Sequence, residues 1–421
     1  MFILHFLLAL GVVFLFGGVF VVISKYMEHG DDTFLDNKIG GWSEKQEIVT
    51  VQLFPPSQNS RSLSEMENFF LNLHSIYSKR SQKDLYIDGK WYDTFAFEIH
   101  SRGGQIGFFC HLNKNYLPLF RSSLTAHYPG TGIIETPDPL RNWPREWTGG
   151  VNNYKHIYGT DLELGNPKDF FPLKSWKHFQ KGTETPTSDP INVLISSFED
   201  IEPEDYIVFQ ILVQPNAPDG GKKASWSEGL NNLKKEFANN ATVETNEAGQ
   251  VQLLTKHEKE IIDNVEAAIT SDVFKTKMRV LLLSEKPGPV RLLGRVMTFL
   301  KEFAGDRQFV KPAKLSKTNI TDDGERFGFL GPRVGVWLDD FYWKNEQDFR
   351  LEKAYLGTIK RSVGRGVEPY FLTAEVLAAI FHFPITTESS VFNLAQPQQP
   401  LDYDTGEALL LGSQPPNNLP V

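Results

Sequence analysis

The chain has 421 residues, and 43 Lys and Arg against 52 Asp and Glu give a formal net charge of −9. A hydrophobic content of 40%, with 32 Phe, is enough to bury sizeable cores and excludes wholesale disorder. The acidic balance argues against a dedicated nucleic-acid binder, and the single Cys110 excludes both an intrachain disulfide and a zinc cage of cysteines.

The chain begins with an apolar run. Residues 2–24 carry no formal charge, and a helix of that length would span roughly 34 Å, enough to cross a bilayer. The run is longer than a signal-peptide core, and no Lys or Arg precedes it. We therefore predict an uncleaved transmembrane helix over residues 1–25. Because Lys25 follows it, we expect a single-pass protein of the cell membrane with its C-terminal bulk in the cytoplasm.

A juxtamembrane linker at residues 26–47 leads into a first folded unit, predicted over residues 48–137. This unit begins with an alternating strand, and Ser62-Leu-Ser-Glu65 is a capping-box pattern that starts an amphipathic helix. The remaining predicted elements are a hairpin, a second amphipathic helix and a last strand, at residues 95–112, 117–124 and 133–134.

The hairpin is the sharpest local signal in the chain. Apolar residues alternate on both sides of Gly103-Gly104, and a two-residue turn there pairs Phe97 with Cys110 and brings the two apolar faces together. This register predicts that Cys110 is a small buried hydrophobe and not a nucleophile.

A Trp-, Pro- and Gly-rich connector separates this unit from a second one, predicted over residues 157–310. Apart from a helical insertion at about 226–273, its elements come in the same order, β-α-β-β-α-β. The predicted fold class is therefore α+β, with an N-terminal transmembrane helix followed by two ferredoxin-like domains, the second of which carries the insertion.

The last part of the chain is less regular. Residues 311–395 are predicted to be an irregular, aromatic region with one short helix at 373–381, whose N-cap is Thr373 or Leu372. Residues 396–421 are rich in Pro, Gln and Asn, so we expect an exposed tail.

The sequence lacks the common catalytic motifs. Gly220-Gly221-Lys222-Lys223 is not a phosphate-binding loop, because the leading glycine spacing and the hydroxyl residue after the lysine are absent. There is also no Gly-x-Gly-x-x-Gly after a strand, no nucleophile elbow and no His-Glu-x-x-His helix. We predict no catalytic residues, no cofactor-binding residues and no metal ligands.

Two groups of residues could still carry chemistry. His100 and His111 fall on the outward face of the hairpin without a third ligand, and we interpret them as solvated strand histidines. Asp339-Asp340, flanked by aromatic residues, could bind a cation or act in acid–base catalysis, but a solvated loop pair is the simpler interpretation.

Basic residues gather in three groups that could contact DNA phosphates or anionic lipid. The groups are Arg291 with Arg295, Lys311 with Lys314 and Lys317, and Lys360 with Arg361 and Arg365. Solvated faces of an acidic protein are the simpler interpretation.

Several segments together resemble a known family. They are residues 63–73 with the hairpin, Leu124–Pro129, Asp205–Pro215, Lys256–Glu260, Phe371–Pro384 and Gln414–Pro420. They resemble the membrane-anchored N-terminal region of conjugation-type, type IV secretion-like ATPases (HerA/TraG type) of Patescibacteria, which are candidate-phyla bacteria. In that family a Thr-x-Glu…His-x-Pro segment and a Pro-Pro-x-Asn-Leu-Pro segment come just before a hexameric motor domain. The 421 residues contain no motor domain after these segments, so we expect the motor to be encoded separately.

The resemblance implies a non-enzymatic, membrane-anchored accessory component of a conjugation or type IV secretion-like translocation apparatus, which docks or orients a motor ATPase. The implied partners are the lipid bilayer, the hexameric motor ATPase or other secretion-system subunits, and a second copy of the chain; no cofactor is implied.

Two alternatives stay open. One is a membrane-tethered enzyme of unknown class, with Asp339 and Asp340 or the hairpin histidines as its site. The other is a direct nucleic-acid-binding module.

Overall fold

The computed structural model describes residues 45–81, 83–88, 90, 92–145, 149–151, 154–180, 189–216, 221–240, 242–246, 249–313, 317–320, 354–361, 363, 367–385 and 394. Contacts divide the chain into two compact units, one of residues 1–47 and 78–93 and the other of residues 48–77 and 94–421. The described part of the smaller unit contains a π-helical turn at Lys83–Ile87, beside which Lys90 binds Asp84 at 2.9 Å and Asp88 at 3.2 Å.

The larger unit contains twelve described strands and eight described helices, numbered in chain order. The strands are β1 (Ile48–Phe54), β2 (Phe95–Arg102), β3 (Gln105–Asn113), β4 (Gly132–Thr136), β5 (His156–Leu164), β6 (Asp205–Pro215), β7 (Thr242–Asn246), β8 (Gly249–Leu253), β9 (Val273–Ser284), β10 (Val310–Pro312), β11 (Thr318–Ile320) and β12 (Tyr370–Thr373). The helices are α1 (Leu63–His74), α2 (Leu117–His127), α3 (Pro190–Glu199), α4 (Gly221–Asn240), α5 (Lys256–Thr270), α6 (Leu293–Lys301), α7 (Ala354–Ile359) and α8 (Ala374–Ile380).

Ten of these strands form one sheet in the order β10-β5-β9-β6-β2-β3-β1-β4, with β11 added to β5 and β12 added to β9. All of its ladders are antiparallel. The remaining strands, β7 and β8, form a separate two-stranded ribbon within the insertion between β6 and β9.

The predicted fold class is wrong: the chain does not form two separate ferredoxin-like domains. The two halves share one sheet, because β2 and β6 pair along the whole of β2, from Phe95 opposite Val213 to Arg102 opposite Tyr206. Within each half the elements follow the predicted order, but the same alternation of residues suits a free edge strand and a paired one. Local patterning therefore could not show that the two edges join.

The prediction of a single-pass membrane architecture is also corrected, because the described residues form a large antiparallel sheet. None of the helices in the described ranges is long and apolar enough to cross a bilayer. The predicted transmembrane helix at residues 1–25 and nearly all of the linker at 26–47 lie outside the described residues. The predicted location in the cell membrane therefore stays a prediction.

The main hydrophobic core lies on one face of the sheet, between the strands and helices α1, α2, α3, α6 and α8. Strand residues that alternate toward these helices include Phe97, which is fully buried. Phe69 of α1 meets the rings of Phe97 and Phe120 edge-on, with centroids 6.2 and 5.4 Å away. Burial of several such aromatic rings, each worth roughly 1.5–3 kcal/mol, fixes the helices on this face.

The predicted hairpin register is confirmed, with Phe97 opposite Cys110 and Ile99 opposite Phe108. Its turn needs glycine at Gly104, where φ is +86° and a Cβ would lie 2.6 Å from the Glu199 carbonyl oxygen.

Two predicted helix starts are confirmed. Ser62 caps α1 and accepts a hydrogen bond from the Ser64 amide, and Thr373 caps α8. The capping box at Ser62 is not formed, because the Glu65 carboxylate instead lies 2.7 Å from Nδ1 of His127. The predicted pattern therefore located the helix start but not the partner of its acidic residue.

The insertion has a small core of its own. Helices α4 and α5 pack together through residues such as Trp226, Phe237 and Val265, and against Phe170 and Phe171. A full capping box of Thr255 and Glu258 begins α5.

Candidate functional site: a buried polar row and an open cleft

Four polar residues form a row across the face of the sheet opposite the helices. Glu98 of β2 faces Gln210 of β6, Gln210 faces Arg279 of β9, and Arg279 faces Asp161 of β5. Each is at most 1% exposed. Polar groups buried this deeply destabilise a fold unless they are paired, so their partners decide what the row does.

Arg361 closes one end of the row. Its Nε donates to Oε1 of Glu98 at 2.7 Å, and its Nη atoms donate to both carboxylate oxygens of Asp138 at 2.7 and 2.8 Å. Glu98 also accepts from Gln210 at 2.8 Å and faces Nε2 of His100 at 3.0 Å. One guanidinium thus holds two carboxylates that come from a strand and from the connector after β4.

The contacts between Arg361 and its two carboxylate partners, Glu98 and Asp138, keep all three side chains charged. Burial by itself would raise the pKa of Glu98, but the charge of Arg361 and the hydrogen bond from His100 outweigh it and hold that pKa well below its usual range. Burial likewise opposes the charge of Arg361, yet Glu98 and Asp138 raise its pKa. The pKa of Asp138 is lowered, because Arg361 outweighs its burial.

Asp161 and Arg279 close the other end. Nε of Arg279 donates to Oδ1 of Asp161 at 2.6 Å, and Nζ of Lys277 lies 3.6 Å from Oδ2. Lys277 also donates to the carbonyl oxygens of Val363, at 3.1 Å, and Val367. Burial lowers the pKa of Lys277 to about 8, although Asp161 acts in the opposite sense.

The row holds one segment of chain, the strap, which we define as the described residues from Ala354 to Val367. The carbonyl of Gly357 accepts from Nη1 of Arg279 at 2.7 Å, and that of Thr358 accepts from Gln210 at 3.1 Å. A Cβ at Gly357 would lie 2.9 Å from Cζ of Arg279, so the close approach requires glycine.

Aromatic contacts cover the sheet beside the row. Tyr355 of α7 stacks on Trp143 with an angle of 9° between the rings, and its hydroxyl donates to the Pro144 carbonyl at 2.9 Å. Trp143 meets Tyr206 of β6 edge-on at 5.6 Å. On this face the carboxylates of Glu98, Asp138 and Asp161 are bound by three cations, namely Arg361, Arg279 and Lys277. This arrangement locks the strap to the sheet; it does not present a reactive group to a substrate.

The prediction that the hairpin histidines are solvated is wrong for His100, whereas His111 is half-buried. His100 is fully buried, with Nδ1 2.8 Å from the Tyr206 hydroxyl and Nε2 on Glu98. His111 lies 2.8 Å from the Thr50 hydroxyl, and burial lowers its pKa to about 3. The strand pattern placed both on the outer face correctly but did not show that this face is covered.

Other predicted groups can be placed as well. Cys110 is fully buried, as predicted, and burial raises the pKa of its thiol, which makes it a poor nucleophile. Asp339 and Asp340 lie outside the described residues. Within the described ranges, no group of three or more His, Cys, Asp and Glu side chains is arranged to hold a metal ion.

The predicted basic groups are largely engaged by acidic partners. Arg291 binds both carboxylate oxygens of Asp205 at 2.6 and 2.8 Å, and Lys311 lies 3.4 Å from Glu163. Arg361 is buried and paired with Glu98 of the row, while Lys314 and Arg365 lie outside the described residues. Side chains committed to carboxylates offer less charge to phosphates, which weakens the nucleic-acid alternative.

Sequence reasoning missed the row, although a signal for it exists. Strand β9 carries apolar residues on both faces, such as Met278 and Val280 on one and Leu281 and Leu283 on the other. A strand that is apolar on both faces is buried on both. A polar residue within it, such as Arg279, is therefore expected to need a buried partner.

A cleft of about 270 Å³ opens between α5, the start of α8 and the segments 171–178 and 305–307. Its lining combines apolar side chains with charged ones, namely Leu173, Ile261, Ala267, Val376, Lys174, Lys177, Glu260, Asp306, Arg307 and Glu375. Lys177 and Glu375 are paired across it at 2.5 Å. The volume is close to the lower end of the roughly 300–1,000 Å³ that is typical of small-molecule pockets.

No curated protein matches this sequence. A family model described as "Domain of unknown function (DUF8128)" matches residues 36–300, more than half of the chain. The match includes the four residues of the row and helix α5, whereas the strap and α8 follow it. Its description assigns no activity, so the resemblance to HerA/TraG-type ATPases stays a prediction. The chain belongs to the DUF8128 family.

Proposed function

We propose that the chain is a non-enzymatic accessory component of a conjugation or type IV secretion-like translocation apparatus, which docks or orients a separately encoded motor ATPase. The observation that carries the proposal is the cleft between α5 and α8. It is lined by Glu260 on one side and by Thr373 and Glu375 on the other. These residues belong to two of the segments on which the resemblance to the ATPase family depends.

The build of the cleft suits a protein partner. Its apolar lining can receive an anchoring side chain, and its charged residues of both signs can pair with polar groups around that anchor. Lys177 is 55% exposed and Glu375 only 15% exposed, so an incoming acidic group could compete for the lysine. By contrast, the strongest charges of the sheet are committed to holding the strap.

The position of the cleft also supports this function. In the family that the chain resembles, the segment corresponding to residues 371–384 comes just before the motor domain. In this chain the segment forms β12, which pairs with β9, and α8, whose residues are almost all buried. A motor bound at the cleft would thus rest on a helix fixed in the main core.

A binding measurement tests the proposal. The full chain and the HerA/TraG-type ATPase encoded in the same genome are purified, and their dissociation constant is measured by calorimetry. In Ala267→Phe a ring replaces an exposed methyl group that lines the cleft, so we expect binding to weaken at least tenfold, or about 1.4 kcal/mol. Asp263→Phe is the control, because Asp263 is exposed on the same helix but does not line the cleft.

Two outcomes would count against the proposal. If Ala267→Phe and Asp263→Phe bound the ATPase equally well, the cleft would not be the binding site. If the unaltered chain did not bind the ATPase at all, the proposed function would be overturned. A chain lacking residues 396–421, measured in parallel, shows whether the Pro-rich tail contributes to the contact.

A further inference from the structure

One end of the sheet is formed by β4, which pairs with β1 alone among the described strands. β4 is five residues long and lies in the same compact unit as β1 and α2. The outer edge of such a strand exposes backbone N–H and C=O groups that a further strand can bind. The groups that β4 presents therefore determine which strand fits there.

The register of the sheet fixes which backbone groups of β4 point outward. Opposite residues in an antiparallel ladder alternate between pairs that exchange hydrogen bonds and pairs that do not, and the residues that flank a two-residue turn exchange them. Counting from the turn at Gly103-Gly104 through β3 and β1 directs the backbone groups of Ile134 toward β1. The N–H and C=O groups of Ile133 and Glu135 consequently point away from the sheet.

A contact from α2 agrees with this count. Nη1 of Arg121 donates to the carbonyl oxygen of Ile133 at 3.1 Å, and Nη2 lies 3.2 Å from Oε1 of Glu135. The side chains of Arg121 and Glu135 are 40% and 48% exposed, so an incoming chain can reach them. The described residues supply no hydrogen bond to the N–H of Ile133 or to the N–H and C=O of Glu135. The edge thus offers two donors and two acceptors, and Arg121 shares one of the acceptors.

We propose that β4 pairs with β4 of a second copy of the chain, antiparallel across a twofold axis at Ile134. This pairing sets Ile133 opposite Glu135 of the second copy, and Glu135 opposite Ile133. Both pairs consist of outward-pointing residues, so each exchanges two hydrogen bonds and all four groups of each edge are bound. Ile134, which is 43% exposed, meets Ile134 of the second copy at the axis and is covered there.

The charges of the edge complement one another across this axis. Arg121 already reaches the carbonyl oxygen of Ile133, and Glu135 of the second copy would lie directly opposite Ile133. Arg121 can therefore bind that carboxylate, while the Ile133 carbonyl oxygen has a second lone pair for the incoming N–H. A twofold axis makes each such contact twice. The edge is thus complementary to itself in both hydrogen bonds and charge, which favours a second copy over a strand of another protein.

The inference goes beyond the proposed function and does not depend on it. None of the described residues that line the cleft belongs to β4, so a dimer at this edge leaves the cleft open. A contact of one five-residue strand is small, and we expect a weak, reversible dimer that a covalent trap detects best.

A disulfide trap tests the pairing. The chain's one cysteine, Cys110, is fully buried, so a thiol added at the edge is the reactive one. In the full chain, Ile134→Cys sets two thiols across the axis at a Cα separation of about 4.5 Å, within disulfide range. We expect mild oxidation to give a covalent dimer on a non-reducing gel. Ile48→Cys, on β1 and also 43% exposed, is the control and should give at least about tenfold less. No dimer from Ile134→Cys, or as much from the control, would overturn the proposal.

Charge variants test whether Arg121 and Glu135 meet between chains. In the Ile134→Cys background, Arg121→Glu makes the edge acidic and Glu135→Arg makes it basic. We expect each variant alone to give at least about fivefold less covalent dimer, because like charges then face each other. Mixing the two variants, one with a short tag, should restore a dimer of mixed size. An ion pair confined to one chain cannot be restored by mixing, so a mixture without recovery would contradict the pairing.

Discussion

The two faces of the sheet are stabilised by different physics. On the helix-covered face, phenylalanine and aliphatic side chains pack without directional partners, as Phe97 does among Phe69, Phe70 and Phe120. On the strap-covered face, charged side chains meet fixed partners, as Arg361 meets Glu98 and Asp138. An apolar core tolerates changes of shape that keep its volume, whereas a buried charge network loses its balance with a single deletion. The strap face should therefore be the more sensitive one.

The largest expected effect comes from removing the cation that closes one end of the row, Arg361. Arg361→Met leaves Glu98 buried without its main counter-charge, so we expect a loss of roughly 3–5 kcal/mol in the free energy of unfolding. Urea denaturation followed by circular dichroism measures it. Arg121→Met is the control, because its ion pair with Glu135 is exposed and should contribute at most about 1 kcal/mol. Equal losses for the two variants would contradict the contrast between the faces.

The next effect concerns the close approach of the strap. Gly357→Ala places a methyl group 2.9 Å from Cζ of Arg279, whose guanidinium is fixed by Asp161 and cannot move aside freely. We expect a loss of roughly 1–3 kcal/mol, the usual effect of overpacking. Thermal unfolding compares it with Gly294→Ala, where a Cβ on α6 meets no atom within 4 Å. A variant at Gly357 as stable as that control would show that the strap can shift.

The stability of the strap-covered face should also depend on pH, because Lys277, which binds the strap, titrates near neutral pH. The folded-state pKa of Lys277 is lowered from 10.5 to about 8, so between these values the unfolded chain binds more protons than the folded one. Its contribution therefore makes the free energy of unfolding rise with pH in this window, by at most about 1.4 kcal/mol per pH unit. Lys277→Met should lack this rise, which urea titrations at several pH values can measure. If the free energy of unfolding changed with pH in the same way for the unaltered chain and for Lys277→Met, the lowered pKa of Lys277 would be ruled out.

The smallest effect is expected on the helix-covered face. Leu377→Met in α8 exchanges two fully buried apolar side chains of similar volume, so we expect a loss below about 1.5 kcal/mol. The same urea denaturation measures it beside Arg361→Met. A larger loss at Leu377 than at Arg361 would reverse the order of the two faces.

The strands and helices were predictable to the extent that they depend on local patterns. Alternation set the register of Phe97 against Cys110, and a hydroxyl at Ser62 marked the start of α1. The joining of β2 to β6 was not predictable, since it depends on two edges far apart in the chain. For the cleft, the sequence supplied only the segments of the resemblance, and no spacing indicated that Glu260 and Glu375 would line one cavity.

By itself, the sequence determined the order of the elements that the two halves share, their apolar stripes and the burial of Cys110, because these follow from periodicities of two and 3.6 residues. It did not show the ribbon β7–β8 within the insertion predicted to be helical, nor β11, α7 and β12 within the region predicted to be irregular. Only the tertiary structure decided that both faces of the sheet are covered. Glu98 and His100 look like solvent-facing residues in a strand pattern, and Arg361 lies 263 positions from Glu98 in the chain. A charged residue is stable in such a place only when a distant opposite charge arrives there, and that is a property of the folded chain as a whole.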